Sequence, residues 1–187
     1  LETRGLTVFA LEPKTIDEVL ATITLVGEIT GQEDEAFGLV AEMQNRIKAV
    51  SDKIDRLPEG QRPRVFYITW HDPLMAPGSG TFQDDLIQKA GGINIAEDLT
   101  GWATISLEAV IEANPQVMIA SVGRSGMEGL NFQFIETESR LRNTDARRNG
   151  RVYAIDGNLV SHPGPRIVDG LEELAKLIHP ELFKEAW

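Results

Sequence analysis

Apolar positions along this chain recur with two periods, and stretches of the two kinds alternate. Residues 65–69, 117–121 and 152–156 are short apolar runs with the length and β-branched content of strands. Around them the apolar positions return every three or four residues. Ile16, Val19, Leu20, Ile23 and Val26 share one helical face behind Thr15-Ile16-Asp17-Glu18, a capping box in which the threonine hydroxyl takes an orphan amide and the glutamate reaches back. Gly31 stops that helix. A longer helix is predicted over residues 33–57, with Val40, Met43, Ile47, Val50, Ile54 and Leu57 spaced by threes and fours and Pro58 ending it. Further helices are expected to begin near Thr81, Ser106 and Leu130, and a last one to cover residues 166–178. Ahead of them all stands a strand-like stretch, Thr7-Val8-Phe9-Ala10-Leu11.

Strands alternating with helices predict an α/β fold, a doubly wound, mainly parallel, Rossmann-like sheet whose ligands sit beyond the carboxyl ends of its strands. The informative segments are then the loops leaving those ends, residues 70–80, 122–129 and 157–165, with a fourth, 98–105, entering a helix. They hold Trp70, His71, Met75, Trp102, Arg124, Asn158 and His162, a gathering of ring and polar side chains that suits a binding edge. The long helix would reach roughly 36 Å, about the width of a small domain. Its spacing is heptad-like, but fewer than about four heptads, widened by Phe37 and Leu39, fit a helix packed on its own protein better than a coiled coil.

Composition narrows the function. With 187 residues, 42% of them hydrophobic and 25% charged, the chain can bury a real core as one domain or as a lobe with an appendage. Its net charge of −11 argues against a polyanionic partner, because nucleic-acid binding draws on clustered basic residues. The nearest such patch, Arg147-Arg148 with Arg151, reads as a solvated turn. Without cysteine there are no disulfides, thiolate metal sites or thiol nucleophiles. No apolar run approaches the roughly eighteen residues of a membrane span. The start, Leu1-Glu2-Thr3-Arg4-Gly5-Leu6, lacks a charged n-region with an apolar h-region and reads as a chain entered partway through a fold.

Catalytic patterns are faint. His71 and Asp72 are adjacent and point apart, no serine occupies a nucleophile elbow, and His71, His162 and a carboxylate lack metal-ligand spacing. The glycines of residues 123–129 fall at threes, unlike a dinucleotide turn. An enzyme on this sheet, a dehydrogenase or a tetrapyrrole metal chelatase with His71 as base or ligand, stays the alternative reading. A scaffold dimerising through the long helix is another.

Several segments in order carry a resemblance that covers essentially the whole chain. They are Lys14-Thr15-Ile16-Asp17-Glu18-Val19, the long helix, Trp70-His71-Asp72-Pro73-Leu74 with Gly78-Ser79-Gly80-Thr81-Phe82, Ala90-Gly91-Gly92-Ile93-Asn94, Ser106-Leu107-Glu108-Ala109-Val110 with Asn114-Pro115, and residues 158–166. Together they resemble the substrate-binding proteins of ABC importers for cobalamin, haem and ferric siderophores.

That resemblance implies two Rossmann-like lobes joined by one long helix, with the ligand in the cleft between them. Residues 1–32 would then be a strand-helix remnant of the first lobe, 33–57 the interlobe helix and 58–187 the second lobe, leaving half of the cleft outside these residues. Trp102 matches a cleft-lining tryptophan. Thr69 and Met75 stand where the cobalamin binder has phenylalanines, and Asn158 where it has an aspartate near the corrin. The implied ligand-binding set is Trp70, His71, Met75, Trp102, Asn158 and His162, facing a corrinoid or iron complex, with no catalytic residue and no intrinsic cofactor or metal. A tryptophan face suits a flat macrocycle, and a histidine can reach a metal or an amide. Glu108 matches the second-lobe glutamate that docks on the permease, and as a first-turn carboxylate it also suits the helix dipole. The resemblance implies an extracytoplasmic place, periplasmic or lipid-anchored, with the signal segment outside this stretch. Residues 7–30 would have packed on the missing lobe, so their apolar face is expected to be exposed or covered by a second copy, giving a dimer or a rearranged packing.

Overall fold

The computed structural model describes residues 8–123 and 128–183. Four parallel strands form the central sheet: β1 (Arg64–Ile68), β4 (Ile93–Asn94), β6 (Val117–Val122) and β7 (Val152–Asp156), in the order β4-β1-β6-β7. The chain runs from β1 outward to β4, then returns past β1 to β6 and β7. The direction of winding therefore reverses between β1 and β6, the place where sheets of this kind open a crevice at their carboxyl edge.

Strand pleating sends alternate side chains to opposite faces, and each face has its own core. Val65, Tyr67, Val117, Ile119 and Ile155 meet α1 (Ile16–Thr30), α2 (Glu33–Ile54), α3 (Phe82–Lys89) and α8 (Ile167–Ile178). Phe66, Ile68, Met118 and Ala120 meet α4 (Leu107–Ala113) and α5 (Glu128–Thr137). Short helices α6 (Asp145–Arg148) and α7 (Gly157–Val160) flank β7. The fold is thus the α/β arrangement with a parallel sheet that the alternation predicts.

Two segments expected to be loops contain strands instead. Residues 70–80 supply β2 (Trp70–His71) and β3 (Leu74–Pro77), and residues 98–105 supply β5 (Trp102–Thr104). These three pair antiparallel in the order β2-β3-β5 as a small second sheet. The opposite correction applies to residues 7–11: among the described residues, 8–14 have no regular structure, with Phe9 61% exposed. Alternating apolar residues make a strand only beside another strand, and none of the described residues pairs with these.

Helix α1 begins as its capping box requires, with the Thr15 hydroxyl accepting from Glu18 N at 3.1 Å. The Glu18 carboxylate accepts from Lys14 N at 2.6 Å, one residue ahead of the cap. The helix ends at Gly31, whose φ of 68° is left-handed and costs glycine nothing. Its start is tied to α3, where Asp85 accepts from Ile16 N at 2.8 Å and Lys89 pairs with Asp17 at 2.9 Å. Ile16, Val19 and Leu20 are consequently buried against the rest of this chain, not presented for a second copy as expected. Leu25, Val26 and Ile29, nearer the helix end, are exposed.

Helix α2 spans 22 residues, about 33 Å, and stops at Ile54, short of the predicted Leu57, which still packs on the core. Met43, Val50 and Ile54 bury its inner stripe. Arg46 reaches across to α8, donating to both Glu172 oxygens at 2.9 and 2.8 Å and to Asp169 at 2.6 Å. Those hydrogen bonds push the guanidinium still further towards its charged form.

Asp85 gives a pH-dependent prediction. Burial raises its carboxyl above the ordinary range, against the lowering effects of the Ile16 N–H and Lys89. The folded state therefore holds this proton more tightly than the unfolded state, so stability falls as pH rises through that interval. Asp85→Asn keeps an acceptor for Ile16 N without the buried charge. It is expected to melt at or above the wild-type temperature near neutral pH, with the gap closing towards about pH 4. Asp85→Ala, which strands the helix amide, is expected to lose about 1 kcal/mol in the same melts.

Candidate functional site at the carboxyl edge

The end of β1 passes through Thr69 directly into the β2–β3 hairpin, so the small sheet stands over the carboxyl edge of the large one. Register sorts its side chains. Trp70 lies opposite Met75, Met75 opposite Thr104 and Pro77 opposite Trp102, whereas His71 lies opposite Leu74 and Ala76 opposite Ala103. The second set is on the inner side, where Leu74 and Ala76 enter the core. The first set is on the outer side: Trp70 and Met75 half-buried, Trp102 53% exposed. Trp70 satisfies its own polar edge by donating Nε1–H to the Asp72 carbonyl at 2.7 Å, which leaves the ring available as an apolar surface.

His71 takes another position. Its Nδ1 lies 3.1 Å from Oδ1 of Asn131, whose Nδ2 donates to the Thr69 carbonyl at 2.9 Å. An amide nitrogen facing a carbonyl must be the donor, so Oδ1 is what the imidazole meets and Nδ1 carries the hydrogen. The ring is sandwiched at tilted angles between Trp70, 5.4 Å away, and Phe134, 6.2 Å away.

The other loops bring two recesses to this edge. Trp102 bounds one of about 340 Å³ together with Lys14, Thr81, Gln83, Ser161 and Pro163. His162, between the last two, is exposed. The second recess, about 590 Å³, lies at the ends of β6 and β7 and is lined by Val122, Gly123, Asp156, Asn158 and Arg166. There Asp156 caps α7, one carboxylate oxygen accepting from both the backbone N and the Nδ2 of Asn158 at 2.9 and 2.8 Å. Residues 156–166 border both recesses. Trp70 and Met75 share the outer face with Trp102, Asn158 sits in the second recess, and His71 is turned to the inner side. Arg124 and most of the glycine-spaced loop lie outside the described residues.

Glu108 is in the first turn of α4, behind the Ser106 cap that accepts from Ala109 N at 3.1 Å. Its side chain is 77% exposed and only loosely paired with Arg140 at 3.8 Å. Arg140 is held more closely by Glu138, which accepts from its Nε at 3.1 Å and its backbone N at 3.0 Å. Those bonds hold the Glu138 carboxyl below the usual range and raise the guanidinium. Glu108 therefore keeps an outward carboxylate free for a second partner.

Comparison with known proteins decides what this edge belongs to. The family model described as periplasmic binding protein matches residues 3–159. The chain belongs to the periplasmic binding protein family. It is 30% identical over 187 residues to an uncharacterised ABC transporter substrate-binding lipoprotein of Bacillus subtilis, covering 99% of this chain and 58% of that one. It is 31% identical over 183 residues to a cobalamin-binding protein of Halobacterium salinarum, covering 96% of this chain and 49% of that one. The chain thus spans about half the length of these curated relatives. A periplasmic haem-binding protein from Roseiflexus sp. RS-1 superposes with a TM-score of 0.76 at 26% identity, over 90% of this chain and 64% of that one.

Within this family member, three residues of the edge were not singled out from sequence. Asn131 is 1% exposed and fixes His71, and Phe134 completes the ring stack. A lone asparagine inside the apolar face of a predicted helix was the available signal for the first. Gln83 is 4% exposed under the Trp102 recess. Among the described residues, no group of three or more His, Cys, Asp or Glu is placed to hold a metal ion, and no helix is long and apolar enough to cross a membrane.

Proposed function

We propose that this chain is part of the extracytoplasmic solute-binding component of an ABC importer, a protein that captures a corrinoid, haem or ferric-siderophore ligand and delivers it to the permease. The observation that carries this reading is the outward face of Trp70, Met75 and Trp102, standing on the carboxyl edge at the switch point and flanked by two recesses. A flat, largely apolar chelate can stack there while its periphery reaches the polar recesses. Residues 58–187 act as the ligand-bearing lobe, 33–57 as the interlobe helix and 1–32 as the end of the opposite lobe. The relatives named for transport support a binding protein over an enzyme, and the lipoprotein relative supports a place outside the cytoplasm. Asn158 and His162 complete the ligand set while His71, turned to the inner side, supports the hairpin through Asn131, and the ligand is cargo, not a resident cofactor.

Glu108 serves as the docking carboxylate for a cationic group on the permease. In cells expressing the full chain with its permease, Glu108→Ala is expected to lower ligand uptake by roughly tenfold or more, the scale of losing one partner of a desolvated charge pair. Ligand affinity of the purified variant should stay within about twofold, because the carboxylate lies off the stacking face. Loss of ligand affinity in step with uptake would remove the docking role.

A further inference from the structure

The hairpin that carries the outer face has little to hold it in place by itself. Strand β2 has two residues, and an antiparallel pair this short is barely stable alone. A buried asparagine on α5 ties its parts together. Asn131 is 1% exposed, and its Nδ2 donates to the Thr69 carbonyl at 2.9 Å. Thr69 in turn donates its backbone N–H and its hydroxyl to the Met75 carbonyl, at 3.0 and 3.1 Å. The other end of the same amide, Oδ1, accepts from Nδ1 of His71, whose ring lies against the Trp70 indole with centroids 5.4 Å apart. One side chain, bounding neither recess, thus reaches both Met75 and Trp70, the pair that stand opposite each other on the outer face.

We infer that Asn131 is a positioning residue for ligand binding: it sets the places of Trp70 and Met75 from behind, so that the stacking face is formed before a ligand arrives. This inference rests on the proposed capture of a metal chelate on that face. An asparagine is a poor choice for a helix interior and for a core, where an apolar side chain would fill the space with no polar groups to satisfy. Both polar ends of Asn131 are bonded, one to the junction of β1 with the hairpin and one to the hairpin itself, so its burial is tied to the geometry of that junction. A ligand that meets a fixed pair of side chains loses less freedom on binding than one that must order them. Asn94 does the corresponding task at the far end of the hairpin, where its Nδ2 donates to the Pro77 carbonyl at 2.7 Å. Asn131 differs in that it also grips the ring beside Trp70.

The test is a double-mutant cycle in ligand affinity, using the full chain with dicyanocobinamide, haemin and a ferric hydroxamate as probes. Asn131→Ala is expected to weaken binding of whichever probe the wild type takes up by about tenfold, the scale of one well-placed aromatic contact. In a Trp70→Ala background the same substitution should cost about threefold or less, because the ring it positions is gone. A role confined to the stability of the fold would not show that dependence on Trp70. Should Asn131→Ala fail to fold, His71→Phe takes its place in the cycle: a ring stays between Trp70 and Phe134 while the bond to Oδ1 is lost, and a penalty of about threefold that vanishes without Trp70 is expected. An affinity unmoved by these substitutions, or a penalty of the same size with and without Trp70, would overturn the inference while capture of a chelate stands. Wild-type protein that binds none of the three probes removes the proposed function and the inference together.

Discussion

Asn94→Ala is expected to destabilise the protein by about 3–4 kcal/mol, because one truncation strands three buried groups at once. The Asn94 amide nitrogen donates to the Pro77 carbonyl at 2.7 Å and to Asp84 Oδ1 at 2.8 Å, while its oxygen accepts from Ala96 N at 3.1 Å. Asn94 is 1% exposed and Asp84 5%, so water cannot replace what is lost. Against a total stability of roughly 5–15 kcal/mol this is a large fraction, and for a chain of this size it corresponds to a fall in melting temperature of about 10 °C. The consequence extends to the site: Pro77 ends the strand that carries Met75 and pairs with Trp102, so the same bond holds the outer face to the large sheet. Thermal melts of wild type and variant check this. A loss below about 1 kcal/mol would show that the three groups find other partners and that Asn94 does not brace the edge.

Trp102→Ala is the second large effect, and it falls on binding. The ring is 53% exposed and packs little of the core, so the variant should fold with nearly wild-type stability. If this ring is the stacking anchor, its removal should weaken binding of the preferred chelate by about 10- to 100-fold, the range of an aromatic hot spot. Trp102→Phe keeps a ring and should recover most of the affinity. Phe37 on α2, 77% exposed and bounding neither recess, is the control: Phe37→Ala should leave the affinity unchanged. Equal affinities for wild type and Trp102→Ala would move the ligand away from this face.

The main sheet was legible because its strands are fully buried. A run such as Val65-Phe66-Tyr67-Ile68 is apolar on both faces, which marks a parallel strand covered by helices, and the three-four spacing of Met43, Ile47, Val50 and Ile54 marks the helix that covers one side. The hairpin was hidden by its own composition. Pro73, Pro77 and Gly78 read as loop, and strands of two and four residues gain their identity from Ala103 and Trp102, some twenty-five residues later. Residues 8–11 mislead in the opposite sense, since their alternation meets no strand among the described residues. The segment Ala90-Gly91-Gly92-Ile93-Asn94, which entered as part of a family likeness, proves to be architectural. A Cβ on Gly92 would come within 2.7 Å of Val65, so the bare backbone is what lets β4 approach β1.

At the site, the residue types were legible and their directions were not. Trp70, Met75 and Trp102 come to one face only through antiparallel register, and neighbouring His71 is carried to the other by the same alternation. Its partner, Asn131, belongs to a helix sixty residues away. Gln83 left no mark in the pattern, because a glutamine in the first turn of an amphipathic helix is ordinary until its burial is known.

The most direct test is equilibrium titration of the full chain, followed by tryptophan emission, with dicyanocobinamide, cobalamin, haemin and a ferric hydroxamate. Saturable binding of at least one of them, with an affinity that falls about tenfold or more in Trp102→Ala while the variant remains folded, is the expected result. Silence towards all four, with binding of a nucleotide or a free metal ion instead, would contradict a chelate-capturing edge and return the sheet to the enzyme reading.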